Sequence, residues 1–240
     1  MCEPVCGAYY VAFGENYYRQ WLSSAVLLRK QCPDLPMFVV TNVNVRPIRN
    51  VTQMVVRAPD KDYCLYRVQA NRYSPFDMTV LLDTDTAVRS PRFLHIFRGL
   101  LNNEDRHGVA VVESVSEGAL GKYFRRCHEM HPFEFPLTVW CPGTFAFRSC
   151  REIDTLFQQW EDYWDRMGRI RDQAAFALAV QTSGAVIEEI PSQNRRGPHW
   201  KTAEGIVLSH YDAPGLYQFK KIRRKGWSTG DPNKPIDTEV

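Results

Sequence analysis

Asp83 and Asp85 stand two positions apart in "MTVLLDTDTAV", residues 78–88, at the end of a run that is otherwise apolar. Desolvating carboxylates is costly unless a cation offsets them. If strand geometry persists through the pair, both side chains point the same way with Cα atoms about 7 Å apart, and one divalent ion fits between them. Hard oxygen donors suit Mg²⁺ or Mn²⁺, ions that complete their shells with water and substrate phosphate oxygens. The competing reading is structural: Asp is a common turn former, and the pair simply turns the chain out of the sheet. Three further groups invite the same double reading. His210 directly follows the apolar stretch "IVLS", although a lone His is more often a satisfied polar residue than a ligand. Asp172 opens "DQAAFALA" as a plain N-cap or as a site carboxylate. Lys220, Lys221, Arg223, Arg224 and Lys225 form a positive field over phosphates, a solvated face, or a patch for an anionic lipid surface.

The elements that must position these groups alternate between two periods. Residues 9–13 form a short apolar run ending at Gly14, after which Trp21, Leu22, Ala25 and Leu28 fall at helical spacing, and 37–40 is again a continuous apolar run. Strand, helix, strand implies a right-handed crossover and a parallel sheet. Residues 51–56 and 79–82 are further strand candidates; Phe93, Ile96, Phe97 and Leu100 line one face of a helix, and 109–112 is another buried strand. Ser149 and Glu152 form a capping box that opens a helix with Ile153, Leu156, Phe157, Trp160 and Trp164 on one stripe. Asp172 caps the next helix and Gly184 closes it, before strands at 185–190 and 206–208 complete an α/β pattern with a mixed sheet. In open α/β sheets ligands bind outside the carboxyl ends of the strands, which is where "LLDTD" leaves Asp83 and Asp85. Residues 113–142 resist a periodic reading and suggest a binding loop or lid, and 226–240, rich in Gly, Pro and Asp, reads as a loose tail.

Bulk composition narrows the partners. A chain of 240 residues, 44% hydrophobic and 24% charged, can bury one large core, and a single domain over 1–225 is the simpler organisation. A net charge of +3 does not call for nucleic acid. The start, Met1-Cys2-Glu3-Pro4, lacks the basic and apolar stretches of a secretory signal, and no run reaches membrane-spanning length, so a cytoplasmic protein without a transmembrane segment is expected. Seven scattered cysteines without a C-x-x-C pair argue against a disulfide framework or a zinc knuckle.

The segment "YSPFDMTVLLDTDTAV" resembles the nucleotide-sugar glycosyltransferases of the GT-A fold, in which S-P-[FY]-[DE], an apolar strand and D-x-D recur; Ser74, Pro75, Phe76, Asp77, Asp83 and Asp85 match. Other stretches follow the same family's order, and those most like them are in family 8, the glycogenin- and galactosyltransferase-like members. "VAFGENYYRQW" is similar to the first strand and turn that hold the base and ribose, at Ala12, Phe13, Gly14, Asn16 and Tyr17; an amphipathic helix start explains Tyr17 nearly as well. Arg67 stands where such enzymes carry a basic residue that reaches the phosphates, or is a solvated helix residue. "CPGTFAFRS" resembles N-x-G-x-x-x-F-[KR] at Gly143 and Phe147, with Cys141 where Asn is common, and "RDQAAFALA" resembles D-Q-x-x-[FL] at Asp172 and Gln173. "IVLSHY" resembles the strand that delivers a metal-binding His, His210, followed after a longer spacing than usual by Lys220 and Lys221.

The resemblance implies an α/β protein of GT-A type, with a Rossmann-like, mixed but mostly parallel sheet flanked by helices. It implies a glycosyltransferase moving a sugar from a nucleotide diphosphate donor, UDP being favoured, to a glycan, lipid-linked or protein acceptor. Mn²⁺ or Mg²⁺ would sit on Asp83, Asp85 and His210 and assist the departing diphosphate. Asp172 and Gln173 would act at the sugar, in a pattern more like the retaining members, although an inverting enzyme needs a carboxylate base and Asp172 is available. Ala12, Phe13, Gly14, Asn16, Tyr17, Arg67, Asp83, Gly143 and Lys220 would bind the donor. Two other classes stay open. D-x-D also begins haloacid-dehalogenase-like phosphatases, with Asp83 as nucleophile, but these usually show Thr where Ala87 stands. The substitution at Cys141 and the irregular spacing after His210 also suit a domain that binds nucleotide sugar without turnover.

Overall fold

A computed structural model describes residues 3–43, 47–59, 63–115, 128–129, 137–169, 172–191, 200–202 and 205–210. The first strand β1 (Cys6–Ala12) is followed by α1 (Gly14–Gln31), β2 (Met37–Thr41) and β3 (Val51–Val55). Two short helices, α2 (Tyr63–Val68) and α3 (Ala70–Tyr73), lead into β4 (Met78–Leu82) and the short β5 (Thr86–Val88). A 3₁₀ turn (Pro91–Leu94) continues into α4 (His95–Leu101), then β6 (Gly108–Val115), β7 (Leu137–Arg148), α5 (Arg151–Arg166) and α6 (Asp172–Thr182). The remaining strands are β8 (Ile187–Pro191), β9 (Trp200–Thr202) and β10 (Gly205–His210).

Seven strands form one sheet in the order β3-β2-β1-β4-β7-β6-β8, and β7 alone runs against its neighbours. This is the mixed, mostly parallel α/β architecture expected from the alternating periods. Strand alternation divides the core. Ala8, Tyr10, Ala12, Met78, Val80 and Leu82 face α1 and α4, whereas Tyr9 and Leu81 face the side covered by α5 and α6. On that second side Trp160 packs on Phe176 with ring centroids 4.6 Å apart, and Phe145 on Phe176 at 5.0 Å. Each such pair adds about 0.5–1.5 kcal/mol beyond burial. The cluster therefore locks α6, and with it Asp172, against the sheet.

Three local expectations change. The N-cap of α5 is Cys150, not Ser149. Ser149 is committed elsewhere, its amide donating to Asp77 O at 2.9 Å and its hydroxyl to Phe76 O at 3.4 Å, so it ties down the turn before β4 instead. The strand expected at 206–208 is β10, and it joins a separate antiparallel sheet, β5-β10-β9, because its partners are β5 and β9. The stretch 113–142 is partly strand: β6 reaches Val115 and β7 begins at Leu137. Pro142 and Gly143 disguise β7 as a loop, since Pro normally ends a central strand. The chain accommodates them in a bulge. Val112 pairs with Trp140 and Ala110 with Phe145, so residues 141–144 lie opposite Val111 alone. The expected tail and most of the binding-loop region lie outside the described residues, and among the described residues no helix is long and apolar enough to cross a membrane. The five described cysteines are free thiols.

Candidate active site

Strand order reverses at β1, which has β2 on one side and β4 on the other. The crevice between the carboxyl ends of β1 and β4 is thus the topological switch point. A cavity of about 150 Å³ opens there, lined by Phe13, Tyr17, Tyr63, Arg67, Asp83 and Asp85 among others.

The strand does not persist through the acidic pair. β4 stops at Leu82, and Asp83 begins a turn in which its carbonyl accepts from the Thr86 amide at 3.1 Å and the Thr86 hydroxyl at 2.7 Å. Strand alternation therefore does not align Asp83 with Asp85. The turn reading and the site reading hold together, since the turn is what brings both residues to the cavity wall.

Arg67 is the centre of the arrangement. Its Nη2 lies 2.9 Å from Asp83 Oδ1 and its Nε 3.2 Å from Asp172 Oδ2, with its side chain only 12% exposed. It is not a solvated helix residue. Burial pulls the guanidinium pKa down, but Asp172 and then Asp83 more than offset this and hold it above the ordinary value. Burial pushes the Asp172 carboxyl up, Arg67 pulls it back, and Asp83 adds to the push, leaving it above the usual carboxylate range. Nε of Arg67 and Oδ2 of Asp172 both lack a well-aligned hydrogen-bond partner, so that contact is one of charge. Asp172 itself is fixed from behind: Trp160 Nε1 donates to its carbonyl at 2.9 Å in the core.

The bulge in β7 supplies the second constraint on Asp83. The Asp83 amide donates to Gly143 O at 3.0 Å, and a Cβ added at Gly143 would collide with the Asp83 carboxylate. Only a residue without a side chain lets the strand pass so close. The sequence motif containing Gly143 thus has a steric basis.

The remaining predicted residues fall into place unevenly. Phe13 and Tyr17 line the cavity, Ala12 is buried in the core on the side of α1 and does not line it, and Gly14, at φ 76°, opens α1 with its amide donating to Asn42 Oδ1 at 2.7 Å. Asn16 is exposed on the first turn of α1, and Gln173 follows Asp172 in α6. β10 pairs with β5 so that His210 stands opposite Thr86, the residue after Asp85. The His210 side chain and Lys220 lie outside the described residues. Sequence reasoning missed Gln20, whose side-chain Oε1 accepts from Thr84 Oγ1 at 3.2 Å, and Tyr63. Helical spacing was the available signal: Gln20 is three residues beyond Tyr17, and Tyr63 four before Arg67.

The donor set suits a divalent cation. Asp83 and Asp85 both line the cavity, and their carboxylates are the hard oxygen donors that such an ion takes. Elsewhere, ligand atoms of His107, Cys150 and Glu152 come within 4.8 Å of one another. His107 Nδ1 accepts from the Val186 amide at 2.9 Å, so in the neutral ring Nε2 carries the proton, facing Glu152 at 3.9 Å. A protonated ring nitrogen has no lone pair for a metal, and burial pushes the Cys150 thiol up. That cluster belongs to the start of α5.

No family model matches the chain, and no curated protein matches it in sequence. Solved structures do. The galactosyltransferase LgtC, in complex with donor and acceptor sugar analogues, superposes with a TM-score of 0.59 at 14% identity, over 94% of this chain and 98% of that one. Mouse xyloside xylosyltransferase 1 matches with a TM-score of 0.51 at 11% identity, over 77% of this chain and 84% of that one. The glycosyltransferase GlyE of Streptococcus pneumoniae matches with a TM-score of 0.51 at 12% identity, over 76% of this chain and 44% of that one. At such identities the likeness speaks for architecture, and the fold of this chain is the GT-A type, a Rossmann-like mixed sheet flanked by helices.

Proposed function

We propose that the chain is a metal-dependent glycosyltransferase, of a kind similar to family 8, that transfers a sugar from a nucleotide diphosphate donor, UDP-sugar before others, to an acceptor hydroxyl. The observation that carries this reading is Arg67 joined to both Asp83 and Asp172 at the wall of the switch-point cavity. It ties the candidate metal ligands to the candidate sugar-facing residues through one buried side chain.

In this reading Asp83 and Asp85 offer carboxylate oxygens to Mn²⁺ or Mg²⁺, and His210 offers an imidazole nitrogen. The bound cation supplies Lewis-acid neutralisation of the departing diphosphate. Phe13 and Tyr17 take the base, with Ala12, Gly14 and Asn16 at the turn beneath the ribose. Lys220 adds positive charge over the phosphates. Gly143 keeps the Asp83 carboxylate at the cavity wall. Asp172, buried and turned onto Arg67, is poorly presented to an acceptor hydroxyl, which favours retention with Gln173 beside the sugar over inversion with Asp172 as base. The acceptor is a glycan, lipid-linked or protein hydroxyl, and residues 1–225 form a single GT-A glycosyltransferase domain.

Thermal denaturation with a panel of nucleotide sugars tests this directly. A donor that binds the native state raises its melting temperature. Stabilisation by UDP-sugar is expected only with Mn²⁺, and is expected to vanish in Asp83→Asn and Asp85→Asn. If no nucleotide sugar stabilises the wild-type chain with Mn²⁺ present, the reading is wrong.

A further inference from the structure

Tyr17 and Tyr63 come from different helices, α1 and α2, yet line the same cavity. Their rings are nearly parallel, 18° between planes, with centroids 6.3 Å apart. Both are unusually open for large aromatic side chains, Tyr17 at 55% and Tyr63 at 41% exposure. Aromatic pairs attract at centroid separations of roughly 4.5–7 Å, so this pair stands near the outer limit and gains little from its own contact. A flat ring inserted between two others needs about 3.5 Å on each side, about 7 Å in all. The centroid separation is the largest gap the pair can leave between its planes, so the rings must part to form the slot. Both rings sit on exposed side chains, so a rotamer adjustment opens it.

We propose that Tyr63 is the second wall of a nucleobase clamp, closing on the face of the base opposite Tyr17. This rests on the donor reading given above and adds to it a source of affinity. Tyr63 begins α2, and Arg67 lies one turn further on the same face with its guanidinium on Asp83. One wall of the clamp is thereby carried on the helix that bears the charge network, so α2 reaches both the base and the diphosphate ends of one ligand while α1 supplies the other wall. Stacking on two π-faces discriminates weakly between bases, because every base offers such a face. The clamp therefore adds affinity for any base, and a preference for UDP has to come from other contacts.

Calorimetric titration of the full chain with UDP, GDP, ADP and CDP in the presence of Mn²⁺, with inorganic pyrophosphate as the base-free control, tests the clamp. Tyr63→Ala is expected to weaken every nucleotide bound by wild type by about fivefold or more, to leave pyrophosphate affinity unchanged, and to be rescued by Tyr63→Phe. Tyr17→Ala and the double variant Tyr17→Ala/Tyr63→Ala are expected to lose less together than the sum of the single losses. Unchanged nucleotide affinity in Tyr63→Ala, or an equal loss for pyrophosphate, overturns the clamp while leaving the donor site standing. If wild type binds pyrophosphate or Mn²⁺ but none of the four nucleotides, or binds nothing at all, the donor reading fails, and the clamp with it.

Discussion

Replacing Arg67 by Gln removes the cation that joins two carboxylates of the site, Asp83 and Asp172. Arg67 and Asp172 have side chains 12% and 11% exposed, and Asp83 is 28% exposed, so the network counts as largely buried. Breaking a buried pair by deleting one partner costs about 3–5 kcal/mol, because the other charge stays behind uncompensated. Asp83 has partial access to water, which places the expected loss near the lower figure, about 3 kcal/mol. For a domain of this size that lowers the melting temperature by about 6–12 °C. Arg67→Lys should rescue little, because a point charge cannot repeat the reach of Nη2 and Nε to two separate carboxylates. The pH dependence gives the sharper signature. Asp172 has a folded pKa raised by burial, so its ionisation disfavours the native state, and stability falls as pH rises from the unfolded carboxyl value through the folded one. Without Arg67 the folded pKa rises further. The native variant then binds more protons than native wild type across that window, and the gap between the two must widen with rising pH and shrink in acid. Urea unfolding of both proteins from pH 4.5 to 8 measures the gap. A loss under about 1 kcal/mol at pH 8, or one independent of pH, would refute the charge network as the basis of the site's rigidity.

Gly143→Ala should push the Asp83 carboxylate off its position, since the added methyl meets it directly. A loss of about 1–3 kcal/mol on thermal melting is expected, along with weaker Mn²⁺ binding by electron paramagnetic resonance; wild-type values for both would show that β7 simply shifts. Trp160→Phe removes the hydrogen bond to the Asp172 carbonyl, and about 1–2 kcal/mol of stability should go with it in urea unfolding; a neutral result would mean that water replaces the indole. Burial pushes the Cys64 thiol up to about 12 and that of Cys32 to about 11, so neither should react with a thiol-exchange reagent at pH 8 in the native state, while both react in urea. Rapid native labelling of Cys64, followed by mass spectrometry, would contradict the closed packing around α2.

Local periodicity carried the architecture. Continuous apolar runs such as Met37 to Val40 announced strands buried on both faces, and Trp21, Ala25 and Leu28 announced a helix face, because burial is written into the chain at the repeat of each element. The position of Asp83 and Asp85 at a strand end followed from the same pattern. Tertiary structure decided what these residues touch. Arg67 finds Asp83 and Asp172 only because α6 is docked by Trp160 and Phe176, and Gly143 reaches Asp83 only through a bulge that interrupts the period by which β7 would have been recognised. His210 comes beside the acidic turn through pairing in a second sheet, and Ser149 gave up its cap to hold the turn before β4. Such contacts join residues far apart in the chain. They depend on sheet order and register, which no single segment encodes, because a strand's period states which face is buried and leaves open which neighbour it meets.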